Sequence, residues 1–233
     1  MAQKRLDTSW DVGADVIARC EANPLIHLDD LPFAAGDIWN AGVVRYEGQV
    51  LLLITVELLT GRSAIFRARS DDGIHFAVDD EPFMGPSDDG PAGGCESLGI
   101  RDPRITPVNG GYYITYVANG DHGMRLGLAR TQDFQTMERL GYLTQVDVKN
   151  GMLFPRKVGG RFLLLSRPDQ GASIWLGASD DLTFWGSETV VMAPRGGYWD
   201  STRVGAAAPP IETDAGWLLL YYGQKNTSAG RLV

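Results

Sequence analysis

Gly99-Ile100-Arg101-Asp102-Pro103-Arg104-Ile105-Thr106, continued by Gly111-Tyr112-Tyr113-Ile114-Thr115-Tyr116 and Met124-Arg125-Leu126-Gly127-Leu128-Ala129-Arg130-Thr131, is the stretch from which the architecture is read. It holds a strand interrupted by proline, a turn at Asn109-Gly110-Gly111, an aromatic-rich apolar strand and an alternating strand that ends before Asp133-Phe134. Pro103 removes a backbone donor and fixes φ, so this first strand does not suit the middle of a regular ladder. The same proline biases Asp102 toward an extended backbone. Ile105-Thr106 then restores strand character.

The order recurs along the chain. An earlier copy runs through Trp39-Asn40-Ala41-Gly42-Val43-Val44, Gly48-Gln49-Val50-Leu51-Leu52-Leu53 and Ala64-Ile65-Phe66-Arg67-Ala68-Arg69-Ser70-Asp71, with Phe76 beyond. A third contains Leu153-Phe154-Pro155-Arg156-Lys157-Val158, Gly160-Arg161-Phe162-Leu163-Leu164-Leu165 and Ser173-Ile174-Trp175-Leu176-Gly177-Ala178-Ser179-Asp180, closed by Phe184-Trp185. The fourth opens at Gly205-Ala206-Ala207-Ala208-Pro209-Pro210-Ile211, continues through Gly216-Trp217-Leu218-Leu219-Leu220-Tyr221-Tyr222, and is cut off at Gly230-Arg231-Leu232-Val233. Copies of roughly 50–60 residues, each with three or four strands, predict the blades of a β-propeller. A sandwich or irregular barrel predicts no such long period. The whole of 1–233 thus reads as a single all-β domain whose last blade is missing or incomplete. One short helix is predicted over 9–22, where Val12, Val16, Ile17 and Cys20 share a face and Asn23-Pro24 stops the run.

Composition narrows the function classes. Hydrophobic residues make up 44% of the chain and charged residues 21%, ordinary for a globular protein. The net charge of −8 argues against nucleic acid or an anionic membrane surface as partner. Only Cys20 and Cys95 occur, and His27, His75 and His122 are scattered, so no zinc or disulfide framework is expected. The first residues lack the apolar run of a signal peptide, and Val50–Val56 is too short to cross a bilayer, which predicts a cytoplasmic protein. No P-loop, dinucleotide fingerprint or nucleophile elbow is present, and no cofactor is expected.

In a propeller the first strand of each blade faces a common axis, so Asn40, Asp102, the Phe154–Lys157 segment and the Ala206–Pro210 segment should converge. Asp102, between Arg101 and Arg104, is a candidate acid; a structural Asp–Arg pair is the alternative. Burial in an axial cavity raises a carboxyl pKa while neighbouring arginines lower it. Arg156, Lys157, Arg167 and Arg203, gathered in an acidic protein, point to an anionic substrate, most simply phosphate. Trp39, Tyr116, Trp199, Tyr221 and Tyr222 lie near the same strand ends and suit stacking on a sugar, although most strand aromatics are core.

These residues resemble glycoside hydrolase family 130, the β-mannoside phosphorylases. The resemblance rests on Gly99–Thr106, Leu153-Phe154-Pro155-Arg156-Lys157, Ser166-Arg167-Pro168, Val204–Ile211 and Gly216–Gly223, supported by Trp39-Asn40-Ala41-Gly42 and Ala68–Ile74. It implies a five-bladed propeller and phosphorolysis of β-mannosides with inversion, giving α-mannose 1-phosphate. Inorganic phosphate is then a co-substrate, and no second catalytic carboxylate is needed to activate water. By this resemblance Asp102 is the acid, acting through a sugar hydroxyl; Lys157, Arg167 and Tyr222 fall at phosphate positions; Asn40, Arg104, Tyr116 and Asp200 fall near the sugar. Three residues depart from the family pattern: Tyr222 replaces a histidine, Arg101 a glutamate, and Thr55 an arginine. The alternatives are an inverting β-mannosidase using Glu57, Glu96 or Asp200 as base, and a sugar-binding propeller without turnover. An open last sheet edge also predicts a homo-oligomer.

Overall fold

The computed structural model describes Ala18, residues 20–89, 94–228 and 230–232, which are almost entirely strand and turn. Most of the helix expected over 9–22 lies outside the described residues. A 3-10 turn, Leu28–Asp30, precedes the first strand.

Strands β1 (Ala35–Tyr46), β2 (Gln49–Leu58), β3 (Ser63–Ser70) and β4 (Ala77–Val78) pair antiparallel in sequence order. So do β5 (Gly99–Val108), β6 (Gly111–Gly120), β7 (Gly123–Thr131) and β8 (Glu138–Tyr142), and again β9 (Val148–Leu153), β10 (Phe162–Pro168), β11 (Ile174–Ser179) and β12 (Gly186–Met192). In a fourth unit β16 (Tyr221–Thr227) pairs with β13 (Arg203–Ala206) on one side and β17 (Gly230–Leu232) on the other, and β14 (Ile211–Thr213) with β15 (Gly216–Leu218) forms a separate hairpin. The leading strands β1, β5, β9 and β13 pack against one another in order. This is the arrangement of consecutive propeller blades, with three four-stranded units and part of a fourth among the described residues.

The apolar second strands follow from this stacking. Leu51 and Leu53 of β2 pack with Ile100, Ile105 and Ile114 of the next blade, whereas Ile54 and Val56 pack with Phe66 and Leu31. A strand covered on both faces needs no polar alternation. Val117, Leu126 and Leu128 meet Leu153 and Leu164 at the second junction. Met152, Leu165 and Ile174 meet Val204 and Ala206 at the third. The core is therefore divided among blade interfaces. Gly42 marks how closely the first two leading strands approach: a Cβ there would lie 2.7 Å from the Pro103 carbonyl oxygen.

Each complete blade closes its third strand with the same carboxylate-capped turn. Asp72 accepts from the backbone N–H groups of Ile74 and His75, Asp133 from Gln135 and Thr136, and Asp181 from Thr183 and Phe184. Ser70, Thr131 and Ser179, two residues before each Asp, accept from Gly73, Phe134 and Leu182. These backbone donors hold all three carboxyls below the ordinary Asp range. In the first and third blades the capping carboxyls, Asp72 and Asp181, stand one residue beyond the Asp71 and Asp180 that end the third strands read from the sequence.

Two leading strands differ from the sequence expectation. The third is Val148–Leu153, and Phe154–Lys157 lies in the connection to β10. The fourth is Arg203–Ala206, and its antiparallel neighbour is Tyr221–Thr227, reached after the β14–β15 hairpin. Asn150-Gly151 reads as a turn dipeptide, yet here it sits inside the strand.

Candidate active site

Three leading strands break hand at one residue each. Asn40, Asp102 and Asn150 have φ of 43°, 55° and 56°. The ladders lose register there, between Trp39 and Ala41, between Arg101 and Arg104, and opposite Leu165–Arg167. Such bulges redirect a side chain out of the alternating pattern. Left-handed backbone at a non-glycine residue costs on the order of 1–3 kcal/mol, least for Asn and Asp. The extended conformation expected for Asp102 before Pro103 is thus not adopted; a bulge overrides the local preference.

Neighbouring groups hold the bulges in place. The fully buried Thr55 hydroxyl accepts from the Asp102 N–H at 3.0 Å and donates to the Asn40 carbonyl at 3.3 Å. Thr115 donates to the Gly151 carbonyl at 2.6 Å. Gly151 lies close under Leu126: a Cβ there would come 2.8 Å from a Leu126 methyl, which would have to shift.

Asp102 is 7% exposed and belongs to a continuous polar network. Arg104 donates through Nε to Asp102 Oδ1 at 3.0 Å, and its Nη2 closes on the same oxygen. Nη1 of Arg104 reaches the Ala207 carbonyl at 2.5 Å, tying the second blade to the fourth. On the other side, Asn150 Nδ2 approaches Asp102 Oδ2 at 3.4 Å. Asn150 Oδ1 accepts from Arg167 Nε at 2.8 Å and from the Tyr222 hydroxyl at 3.0 Å. Arg167, 2% exposed, also faces Asp169 at 3.5 Å, as do Lys149 at 3.3 Å and Arg203 at 3.6 Å. Partial burial pushes the Asp169 carboxyl up, but Lys149, Arg203 and Arg167 outweigh it and hold the group below its usual range. Three cations around one carboxylate leave two positive charges in excess.

The structure therefore brings together Asp102, Arg104, Arg167 and Tyr222, while Asn40 is joined to them only by its backbone carbonyl, through the Thr55 hydroxyl. Other expected residues lie apart. Lys157 donates to the Asp180 carbonyl at 3.2 Å and sits over the Phe162 ring, because its segment is a connection and not the leading strand. Tyr116 is 1% exposed; its hydroxyl donates to Glu96 at 2.9 Å and its ring covers Gly127, so it has no face for a sugar. Asp200 is 1% exposed and held by Arg195 at 2.9 Å and by the Tyr221 hydroxyl at 3.3 Å, outside the Asp102 network. Arg101 turns to the Met124 sulfur, leaving Arg104 as the sole guanidinium on Asp102 among the described residues. The sequence reading missed Asn150, Lys149 and Asp169. Aligning the third copy by its Lys149-Asn150-Gly151 bulge with Arg101-Asp102-Pro103 would have found the first two; Asp169 follows β10 and carries no such signal.

No group of three or more His, Cys, Asp or Glu among the described residues is placed to hold a metal. No helix among them is long and apolar enough to cross a membrane.

Comparison with known proteins agrees with this geometry. The chain is 30% identical to β-1,2-mannobiose phosphorylase of Listeria innocua over an alignment spanning 89% of this chain and 74% of that one. It is 31% identical to β-1,4-mannooligosaccharide phosphorylase of Ruminococcus albus, covering 90% of this chain but 64% of the relative's length. The crystal structure of the Listeria innocua enzyme with β-1,2-mannobiose superposes with a TM-score of 0.79 at 29% identity, over 91% of this chain and 76% of that one. Residues 18–231 match the family model for β-1,4-mannooligosaccharide phosphorylase. With a bulged Asp–Arg pair at the mouth of stacked blades and a family match over nearly all of its length, the chain belongs to glycoside hydrolase family 130.

Proposed function

We propose that the hollow binds a β-mannoside next to inorganic phosphate and cleaves it with inversion. One observation carries the reading: a buried carboxyl, Asp102, is linked through a single side chain, Asn150, to a cluster of cations with net positive charge. An anion held by Lys149, Arg167 and Arg203 supplies the nucleophilic oxygen. As that oxygen bonds to the anomeric carbon, the glycosidic C–O bond breaks. The Asp102 proton passes to a sugar hydroxyl, whose own proton goes to the departing oxygen. The products are α-mannose 1-phosphate and the shortened sugar.

Water-based cleavage would need a second free carboxylate. Glu96 is fully buried among Ser87, Tyr116 and Arg139, and Asp200 is paired with Arg195, so of the three candidate bases only Glu57 stands outside an ion pair among the described residues, which supports phosphate as nucleophile. Tyr222 hydrogen-bonds Asn150 where the family pattern has histidine, so the cationic load rests on Lys149, Arg167 and Arg203. The reading takes the enzyme as cytoplasmic and homo-oligomeric; light scattering checks the second point.

The test is incubation with mannobiose isomers and mannosyl-glucose, with and without phosphate. Mannose 1-phosphate forming only with phosphate is expected. Phosphate-independent mannose would favour hydrolysis, and sugar binding without either product would favour a binding module. Asp102→Asn should abolish turnover while the circular dichroism spectrum stays unchanged; retained turnover removes Asp102 from the acid role.

A further inference from the structure

The two oxygens of Asp102 are not equivalent. Oδ1 is taken by Nε and Nη2 of Arg104, while Oδ2 has one neighbour, the Asn150 amide, at the long distance of 3.4 Å. The orientation of that amide is fixed independently. Arg167 Nε can only donate, so the Asn150 atom 2.8 Å from it must be the carbonyl oxygen, and the Tyr222 hydroxyl occupies the second lone pair. Nδ2 is therefore compelled to face Asp102. Nδ2 can only donate as well, so a proton on Oδ2 cannot point at it.

We propose that Asn150 is the positioning residue of the acid: it reserves Oδ2 as the proton-bearing oxygen, turns that proton away from the protein toward the bound sugar, and stabilises the carboxylate once the proton has left. The assignment rests on the phosphorolysis reading above for what the proton does, and on geometry alone for where it sits. The charged and titratable groups around Asp102 are Arg104 on its own strand, Lys149 on β9, Arg167 on β10, Asp169 beyond it, Arg203 on β13 and Tyr222 on β16. β2 offers only the uncharged Thr55, at the backbone N–H. Arg167 and Tyr222 reach the acid only through Asn150, so occupation of the cation cluster by phosphate is felt at Asp102 through this amide.

The test is Asn150→Asp, which keeps an oxygen for Arg167 and Tyr222 but removes the donor facing Oδ2 and places a negative charge there. A like charge raises the pKa of the acid, which stays protonated to higher pH. The high-pH fall of the kcat profile should therefore move upward by about one unit, and kcat should drop about tenfold. A profile that keeps its midpoint while kcat falls overturns the assignment, because lost packing lowers the rate at every pH alike. If this variant does not fold, Asn150→Ala, which removes the donor without adding charge, should move the limb in the same direction. Should the wild-type protein release no mannose 1-phosphate, the phosphorolysis reading fails by itself. The carboxyl ¹³C titration of Asp102 then still decides: a higher midpoint in Asn150→Asp supports the positioning role, and superimposable curves refute it.

Discussion

Thr55 shows how far a residue that touches no substrate can set the chemistry. Its hydroxyl satisfies the Asp102 N–H and the Asn40 carbonyl together, two backbone groups that their bulges have freed from the ladder. An unpaired buried polar group costs about 1–3 kcal/mol. Thr55→Val, nearly the same shape without the hydroxyl, should therefore lower stability by about 1–3 kcal/mol in urea titration. It should also reduce kcat, because the Asp102 backbone is released. A separate comparison concerns the cations. Lys149→Ala should raise the KM for phosphate about tenfold or more, as expected for loss of a charge-assisted contact. Lys157→Ala should leave it unchanged, since the Lys157 ammonium is committed to the Asp180 carbonyl. Initial rates against phosphate concentration check both; a larger effect at Lys157 would return the anion to the β9–β10 connection.

At the scale of elements, most of the architecture was legible and the exceptions have a common cause. The first two blades fall where the repeat predicts them because their bulges involve Asn40 and Asp102-Pro103, which leave the flanking strand pattern intact. The third leading strand was misplaced because Asn150-Gly151 carries the composition of a turn, whereas the structure places it in a bulge packed beside Leu126 and bonded by Thr115. In the fourth blade, the β14–β15 hairpin inserts between two paired strands, so the apolar run Gly216–Leu220 imitates a second strand that the structure builds from Tyr221–Thr227. Long-range pairing cannot be seen in a local pattern. The candidate site divides the same way: Asp102, Arg104, Arg167 and Tyr222, singled out from their own copies, lie in one hydrogen-bonded network, whereas Lys149 and Asn150 were hidden with the strand that holds them. A direct check on blade approach is Gly42→Ala, whose methyl would meet the Pro103 carbonyl at 2.7 Å. It should lower the melting temperature and slow turnover together, because β5 carries the acid.

Across the molecule, the three carboxylate-capped turns make stability depend on acid pH in a defined direction. Asp72, Asp133 and Asp181 are held below the ordinary range by backbone donors to their ionised form. Their contribution is complete above the unfolded pKa of about 4 and is lost as pH falls through the folded values. Melting temperature should stay level from neutral pH to about 5 and then decline. The triple variant Asp72→Asn, Asp133→Asn and Asp181→Asn should start lower and decline less steeply; parallel curves would show that other carboxylates set the acid limit. The fourth unit has a different consequence. Its β13–β16 ladder runs from Arg203–Gln224 to Ala206–Tyr221 without a register break, unlike the three leading strands before it. A ring of near-copies is thereby given a polarity. Three leading strands carry Asn40, Asp102 and Asn150 at left-handed bulges, and the fourth contributes Arg203, a long cation, from an undisturbed strand. On the proposed reading, a sugar phosphate would therefore enter in one orientation, with its anion toward Arg203 and its sugar toward Asp102.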